Sequence, residues 1–269
     1  MKQIRWEFPK NIEEAVGLIN ENRAVLHGGG VHLSGKRIKD ETTFVSLDKL
    51  QLNYVKRENG SIKIGSMTDF QTVSEQLNNV MPAHILAKSL GQAATTPLRN
   101  RITIGGSLGL APNWSDLIGP LIALNAEVKL EGAVSGIHHV ADYILQKELN
   151  TNTLITEVII PSVNFESWYY REGIIKNDHP VFTITLLTKQ RNKHVEDLVV
   201  VLTGHTQRFL RLNSIEEKLK GQDINQIEFD NVVKGLDVKF PSVRGMSSDY
   251  IRHLAEVQIE RGLTELLKS

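Results

Sequence analysis

The sequence predicts an α+β chain in two parts, and three observations lead there. Strand and helix signals alternate as far as Pro161. From Trp168 they give way to a run of strands followed by helices. An apolar stripe at helical spacing then runs through the C-terminal segment.

Taken in order, Ile4, Trp6 and Phe8 alternate with polar residues, which predicts a short strand with one buried face. Pro9 and Asn11 open a helix carrying Ile12, Ala15, Val16 and Ile19. Ala24-Val25-Leu26 reads as a buried strand running into the glycines at 28–30, and TFVSLDKL (43–50) as another strand. Asn59-Gly60 between alternating segments is a hairpin turn. Asp69 caps a helix to about residue 79, and a second helix follows Pro82. An extended segment then meets a second glycine turn, Thr103-Ile104-Gly105-Gly106-Ser107. An irregular loop, a helix from Ser115 and a strand from Ala126 come next. HHVADYI and LITEVIIP continue the mixed pattern.

Beyond Trp168, WYYREGIIK, PVFTITLLTKQ and EDLVVVLTGHT predict a three-stranded antiparallel sheet, with residues 190–193 as a polar turn. Helices are expected at 213–220, at 225–235 and from about Ser247 onward. Ile251, Leu254, Ala255, Ile259, Leu263 and Leu266 form the stripe that packs the last one onto the sheet. The boundary falls near 161–168, giving domains 1–165 and 166–269.

Composition narrows the function classes. With 269 residues, 41% hydrophobic and 23% charged, the chain has an ordinary globular make-up. Lys plus Arg equals Asp plus Glu at 31 each, so nothing electrostatic points to nucleic acid or an anionic membrane. The absence of cysteine excludes disulfides, thiolate catalysis and a cysteine-ligated iron–sulfur cluster within this chain. The start lacks a signal-peptide core and no window approaches a membrane span, so a cytoplasmic protein is expected. No Ser-His-Asp set, paired carboxylates or zinc-like spacing stands out, and His138-His139 face opposite sides of a strand. No side chain is assigned to catalysis or to a metal.

The informative stretch is HGGGVHLSGKR (27–37). Gly30, Gly35 and Lys36 have P-loop spacing, but Arg37 stands where a Mg²⁺-binding Ser or Thr belongs, and the P-loop reading loses. The G-x-G-x-x-G fingerprint also fails, because position 33 is Leu. Two readings remain open: a tight turn without ligand, or a nest of backbone N–H groups for phosphate. The second glycine turn, flanked by the hydroxyls of Thr103 and Ser107, favours the nest. Asp116 is either a helix cap or an acceptor for cofactor hydroxyls. The two turns together can embrace one extended dinucleotide.

Four segments carry a resemblance. AVLHGGGVHL resembles the A-G-G-T-D-L flavin loop of the FAD-binding subunits of molybdenum hydroxylases, the xanthine dehydrogenase and carbon monoxide dehydrogenase group. RNRITIGGSLGLAPNWSD resembles their R-N-x-x-T-i-G-G-N…D segment. FPKNIEEAVGLI resembles the opening P-x-S-x-E-E-A helix, and VRGMSSDYIRHLAEVQIERGL the C-terminal R-x-S-x-x-Y-R helix. The motifs span nearly the whole chain, in order.

The resemblance implies a two-subdomain flavin-binding module of the vanillyl-alcohol-oxidase type, with subdomains roughly 1–55 and 56–165, and a small α+β C-terminal domain. It implies FAD, with its pyrophosphate on Gly28, Gly29, Gly30 and Val31, reaching His32. Thr103, Gly105, Gly106 and Ser107 would form a second wall, and Asp116 would bind ribityl or ribose hydroxyls. The implied role is electron transfer, from an iron–sulfur subunit fed by a molybdopterin subunit, through FAD, to an acceptor such as NAD. The alternatives are a stand-alone flavin oxidase and a scaffold subunit that has lost tight flavin binding.

Val31 stands for the family's Thr, His32 for its Asp and Ser107 for its Asn, while Pro112-Asn113 inverts a Ser-Pro order. His27 and His32 flank the glycines. His32 is expected as a hydrogen-bonding or stacking neighbour, not a covalent flavin ligand. Arg101 reads as solvent-exposed charge, and Arg99 stays open between that and a contact with cofactor or partner. Lys176 and Asp178 fall where the family's strand passes near the flavin ring. Arg244, Tyr250 and Arg252 are expected to clamp the C-terminal domain.

Overall fold

The structure is a computed structural model that describes residues 4–21, 23–35, 41–162 and 164–268. Two compact units result. The first holds residues 1–80, 95–110 and 125–162, the second residues 81–94, 111–124 and 163–269.

In chain order the elements begin with β1 (Arg5–Glu7), α1 (Ile12–Ile19), β2 (Ala24–His27), β3 (Thr43–Ser46), β4 (Val55–Glu58) and β5 (Ser61–Gly65). Helices α2 (Phe70–Val80), α3 (Ile85–Gln92), α4 (Thr96–Arg99), α5 (Ile104–Leu110) and α6 (Ile118–Ala123) follow. Next come β6 (Glu127–Gly132), β7 (Gly136–His139), α7 (Val140–Leu145), α8 (Lys147–Asn150) and β8 (Thr153–Pro161). The chain continues with β9 (Glu166–Glu172), β10 (Phe182–Arg191), β11 (His194–Thr203), β12 (Leu210–Arg211), α9 (Asn213–Leu219), α10 (Phe229–Val233) and α11 (Ser248–Lys268).

The first unit contains two sheets. One is parallel, in the order β1-β3-β2. Asn11 starts the helix between β1 and β2, its Oδ1 accepting from Glu14 N at 2.8 Å while the Glu14 carboxylate accepts from Lys10 N at 2.8 Å. That helix buries Ala15 in a core with Leu47, Leu50, Leu52 and Leu154. The other sheet runs β4-β5-β8-β6-β7, antiparallel throughout. Its first hairpin turns at Asn59 and Gly60, whose φ values of 50° and 76° are those of a type I′ turn. The expected buried face of β1 is corrected: Trp6 and Phe8 are 45% and 49% exposed. As an edge strand β1 pairs only with β3, and Trp6 lies on Phe44 and beside Phe8 at the surface.

The second unit is built on a four-stranded antiparallel sheet, β12-β11-β10-β9, one strand more than the sequence predicts. The added strand has two residues, too short for an alternation signal. Side-chain alternation explains its two-sided burial. Trp168, Ile184, Leu186, Val200 and Leu202 pack with Ile251, Ala255, Ile259 and Leu263 of α11. The opposite side chains, among them Thr183, Thr185 and Thr203, meet α6, where a Cβ on Gly119 would lie 2.9 Å from Thr185 Oγ1. The helix expected across 225–235 resolves into a 3₁₀ turn (Ile224–Gln226) and α10.

A single cut near residue 165 therefore does not describe the units. The segments containing α3 and α6 lie upstream of it but pack on the C-terminal sheet, because their apolar residues cover the face that α11 leaves open.

Candidate cofactor site

In the first unit, β2 delivers the backbone into Gly28–Gly29–Gly30. Among the described residues, the N–H groups of Gly28, Gly29, Gly30 and Val31 donate to no protein acceptor. These four donors are half-buried and open to water or to a ligand, whereas fully buried N–H groups are nearly always paired inside the protein. Gly30 has φ +73°, a conformation that favours glycine. Behind the turn, Ser34 donates its N–H to the Gly30 carbonyl at 3.1 Å and its hydroxyl to the Val31 carbonyl at 2.8 Å. The carbonyls are thus tied back while the N–H groups stay free.

The two glycine segments meet. A Cβ on Gly28 would lie 3.0 Å from Thr103 Oγ1, and one on Gly29 would lie 1.5 Å from the Arg101 carbonyl oxygen. The Arg101 guanidinium returns to donate from Nε and Nη2 to the Gly29 carbonyl, at 3.1 and 2.9 Å. Arg101 is exposed, as read from sequence, and is also the brace of the turn. Only tertiary contact reveals the brace, because nothing in the local pattern distinguishes an exposed arginine that folds back onto the backbone from one that does not.

The second glycine segment is not a turn but the start of α5. Thr103 caps it, accepting from Gly106 N through Oγ1 at 3.1 Å and from Ser107 N through its carbonyl at 2.9 Å. Gly105 N is bonded to the Ser66 carbonyl at 2.8 Å. The backbone donors of Gly105, Gly106 and Ser107 are thus engaged within the protein. What this segment can offer a ligand is the Ser107 hydroxyl, which has no partner among the described residues, and the bare backbone at Gly106. Arg99 lies in the same unit and donates to Gln71 at 2.7 Å and Thr96 at 2.8 Å.

Val31 is half-buried and His32 exposed, just ahead of a 3₁₀ turn at Leu33–Gly35. Lys36 and Arg37, part of the apparent P-loop spacing, lie outside the described residues.

Asp116 belongs to the second unit. Helix α6 begins two residues later, and Ser115 caps it by accepting from Leu117 N at 3.1 Å and Ile118 N at 3.2 Å. Asp116 is therefore not the cap. Its Oδ1 accepts from Arg171 Nε and from the Tyr169 hydroxyl, both at 2.8 Å. Alternation along β9 puts Tyr169 and Arg171 on the face that carries α6, which is why they reach it. Burial pushes the Asp116 carboxyl up from its ordinary value, opposed by the Arg171 charge. Burial pushes Tyr169 well up too, so it stays a neutral donor.

Arg171 also donates to the carbonyls of Lys176 and Asp178, and Asp178 pairs with Arg244. The rings of Trp114 and His179 lie against each other, tilted by 31°, with centroids 3.7 Å apart. The expected C-terminal clamp is thus partly corrected: Arg244 makes an ion pair, but Tyr250 is exposed and Arg252 pairs only with Asp249, one turn away. Among the described residues no cluster of three His, Asp or Glu side chains is placed to hold a metal. No described helix is long and apolar enough to cross a membrane.

A strand leading into a glycine turn with unpaired N–H groups, backed by a second glycine segment, has the form of a backbone nest for an anion. The family model for the FAD binding domain in molybdopterin dehydrogenase matches residues 2–163, and the chain belongs to that family. It is an FAD-binding chain of the molybdenum hydroxylase family, and its cofactor is FAD.

Among relatives, the glyceraldehyde dehydrogenase medium chain of Sulfolobus acidocaldarius is 24% identical over 90% of this chain and 88% of its own length. The nicotinate dehydrogenase FAD-subunit of Eubacterium barkeri is 27% identical over 64% of this chain and 63% of its own. Carbon monoxide dehydrogenase from Hydrogenophaga pseudoflava superposes with a TM-score of 0.90 at 20% identity, over 98% of this chain and 97% of that one. Quinoline 2-oxidoreductase from Pseudomonas putida 86 gives 0.89 at 17%, over 100% and 99%. The likeness to these structures establishes the mixed α/β fold.

Proposed function

We propose that this chain is the FAD-bearing electron-transfer subunit of a molybdenum hydroxylase complex. It would receive electrons from an iron–sulfur subunit fed by a molybdopterin subunit, and release them to an acceptor such as NAD. The observation that carries this reading is the row of unpaired N–H groups at Gly28–Val31, held in place by Arg101. The bare Cα atoms of Gly28 and Gly29 let the turn press against Thr103 and the Arg101 carbonyl, which supports the row of donors from behind.

Gly28, Gly29, Gly30 and Val31 bind the pyrophosphate through N–H groups, so the missing Thr hydroxyl at Val31 costs one contact and leaves the backbone set intact. His32 borders the same turn. Thr103 orders the second wall by capping α5, Gly105 lets that wall pack against Ser66, Gly106 leaves its backbone bare, and Ser107 adds a hydroxyl. Asp116, oriented by Arg171 and Tyr169 through Oδ1, keeps Oδ2 for a ribityl or ribose hydroxyl. The first unit would correspond to the two-subdomain module of the vanillyl-alcohol-oxidase type. FAD supplies the redox chemistry, accepting and passing on electrons, while the protein holds and orients it. The absence of cysteine fits a chain that leaves iron–sulfur clusters to its partner.

Native purification with flavin and metal analysis tests the reading. The expected result is a yellow complex containing FAD, iron and molybdenum, with the flavin on this chain. A correctly folded chain that stays colourless and fails to bind added FAD overturns it.

A further inference from the structure

His27 is the last residue of β2 and stands directly before the glycine turn. Its ring is held on two sides by aromatic rings, edge-on to Trp6 with centroids 4.9 Å apart and to Phe44 at 6.2 Å. The two ring nitrogens have different surroundings. Nδ1 is buried and has no hydrogen-bond partner. Nε2 faces the turn, 2.7 Å from where a Cβ on Gly30 would stand, with Arg101 Nη2 3.6 Å from the same point.

This asymmetry selects a tautomer. A neutral imidazole carries one proton, and a buried donor without an acceptor is tolerated less well than an acceptor without a donor. The proton therefore belongs on Nε2, beside Gly30, and the unpartnered Nδ1 is the bare acceptor. The result is an N–H donor on a side chain whose rotamer is fixed by packing, next to four backbone N–H donors and the Arg101 guanidinium. No acceptor on the protein uses it among the described residues.

We propose that His27 is a further binding residue for FAD, donating its Nε2–H to a phosphate oxygen held at the Gly28–Val31 turn. The inference rests on the reading that this turn seats the pyrophosphate. Its chemistry is that of a hydrogen bond to an anion, worth roughly tenfold to a hundredfold in affinity. The brace and the donor then divide the work: Arg101 positions the loop through the Gly29 carbonyl, and His27 contacts the ligand.

The test is FAD titration of the apo full-length chain, followed by flavin fluorescence, with His27→Phe and His27→Gln. Phenylalanine keeps the contacts to Trp6 and Phe44 but donates nothing, whereas glutamine keeps a donor. His27→Phe should raise the FAD dissociation constant about tenfold or more while the apo melting temperature is unchanged. His27→Gln should recover most of the loss. A His27→Phe chain that binds FAD as the natural chain does overturns the inference and leaves the FAD reading standing. A loss that comes with an equal fall in apo stability also overturns it, in favour of a packing role. If the natural chain itself fails to bind FAD, the parent reading falls and this one with it.

Discussion

Gly29 and Arg101 are locked together from both directions. A Cβ on Gly29 would sit 1.5 Å from the Arg101 carbonyl oxygen, and the Arg101 guanidinium grips the Gly29 carbonyl through Nε and Nη2. Gly29→Ala must therefore displace backbone, with no flexible side chain to absorb the strain. The expected outcome is a loss of at least about 2 kcal/mol in unfolding free energy, with no measurable FAD binding. Gly17→Ala is the control, since a Cβ there meets nothing within 4 Å on a helix. It should stabilise by about 0.5–1 kcal/mol. Urea denaturation of both variants decides the point.

Removing the brace alone is milder. Arg101→Met frees the Gly29 carbonyl, and Arg101 is exposed, so the fold should survive with a small change in melting temperature. The turn loses its fixed orientation and a nearby positive charge. FAD affinity should fall about tenfold, as read by fluorescence titration. An unchanged affinity would mean that the free N–H groups are already ordered by Ser34.

Asp116 and Arg171 form an ion pair with side chains 8% and 6% exposed. Breaking such a pair leaves one buried charge uncompensated. Arg171→Met should cost about 3–5 kcal/mol, measured by chemical denaturation. Asp116→Asn keeps an acceptor for Tyr169 and Arg171 but leaves the buried guanidinium without its counter-charge, so it should cost a comparable amount. If Asp116 also serves the cofactor, Asp116→Asn will weaken FAD binding by more than its stability loss explains.

His84 provides a pH prediction. Its Nδ1 accepts from Leu86 N at 3.3 Å at the start of α3, and burial pushes its pKa down from the ordinary histidine value. A depressed folded pKa means the unfolded chain takes up a proton first. The stability contribution is thus complete above about pH 6.5 and declines as pH falls from there through the folded pKa. His84→Asn retains a capping acceptor that does not titrate. Its stability relative to the natural chain should rise between about pH 7 and pH 5, read from melting temperatures across that range.

Much of this molecule is written locally. Asn59-Gly60 specifies its hairpin because both residues tolerate positive φ, and Asn11 with Glu14 specifies a helix start through bonds only three residues long. The stripe from Ile251 to Leu266 specifies the terminal helix and its buried face. The location of the glycine turn at Gly28–Gly30, and the family to which the chain belongs, are equally a matter of sequence. The turns, the cap and the stripe rest on spacings within a single segment, and the family on several segments in order along the chain.

What tertiary structure alone decided are the partners. Whether an N–H is free depends on what stands opposite it: the donors at Gly28–Val31 are unpaired, whereas those of Gly105, Gly106 and Ser107, an equally glycine-rich stretch, are taken by Ser66 and Thr103. Arg101 became a brace, and Asp116 an acceptor fixed by Arg171 and Tyr169, through contacts between residues far apart in the chain. Helices α3 and α6 joined the C-terminal sheet because its second face needed cover. Periodicity states that a face is apolar, and only the folded chain states what meets it.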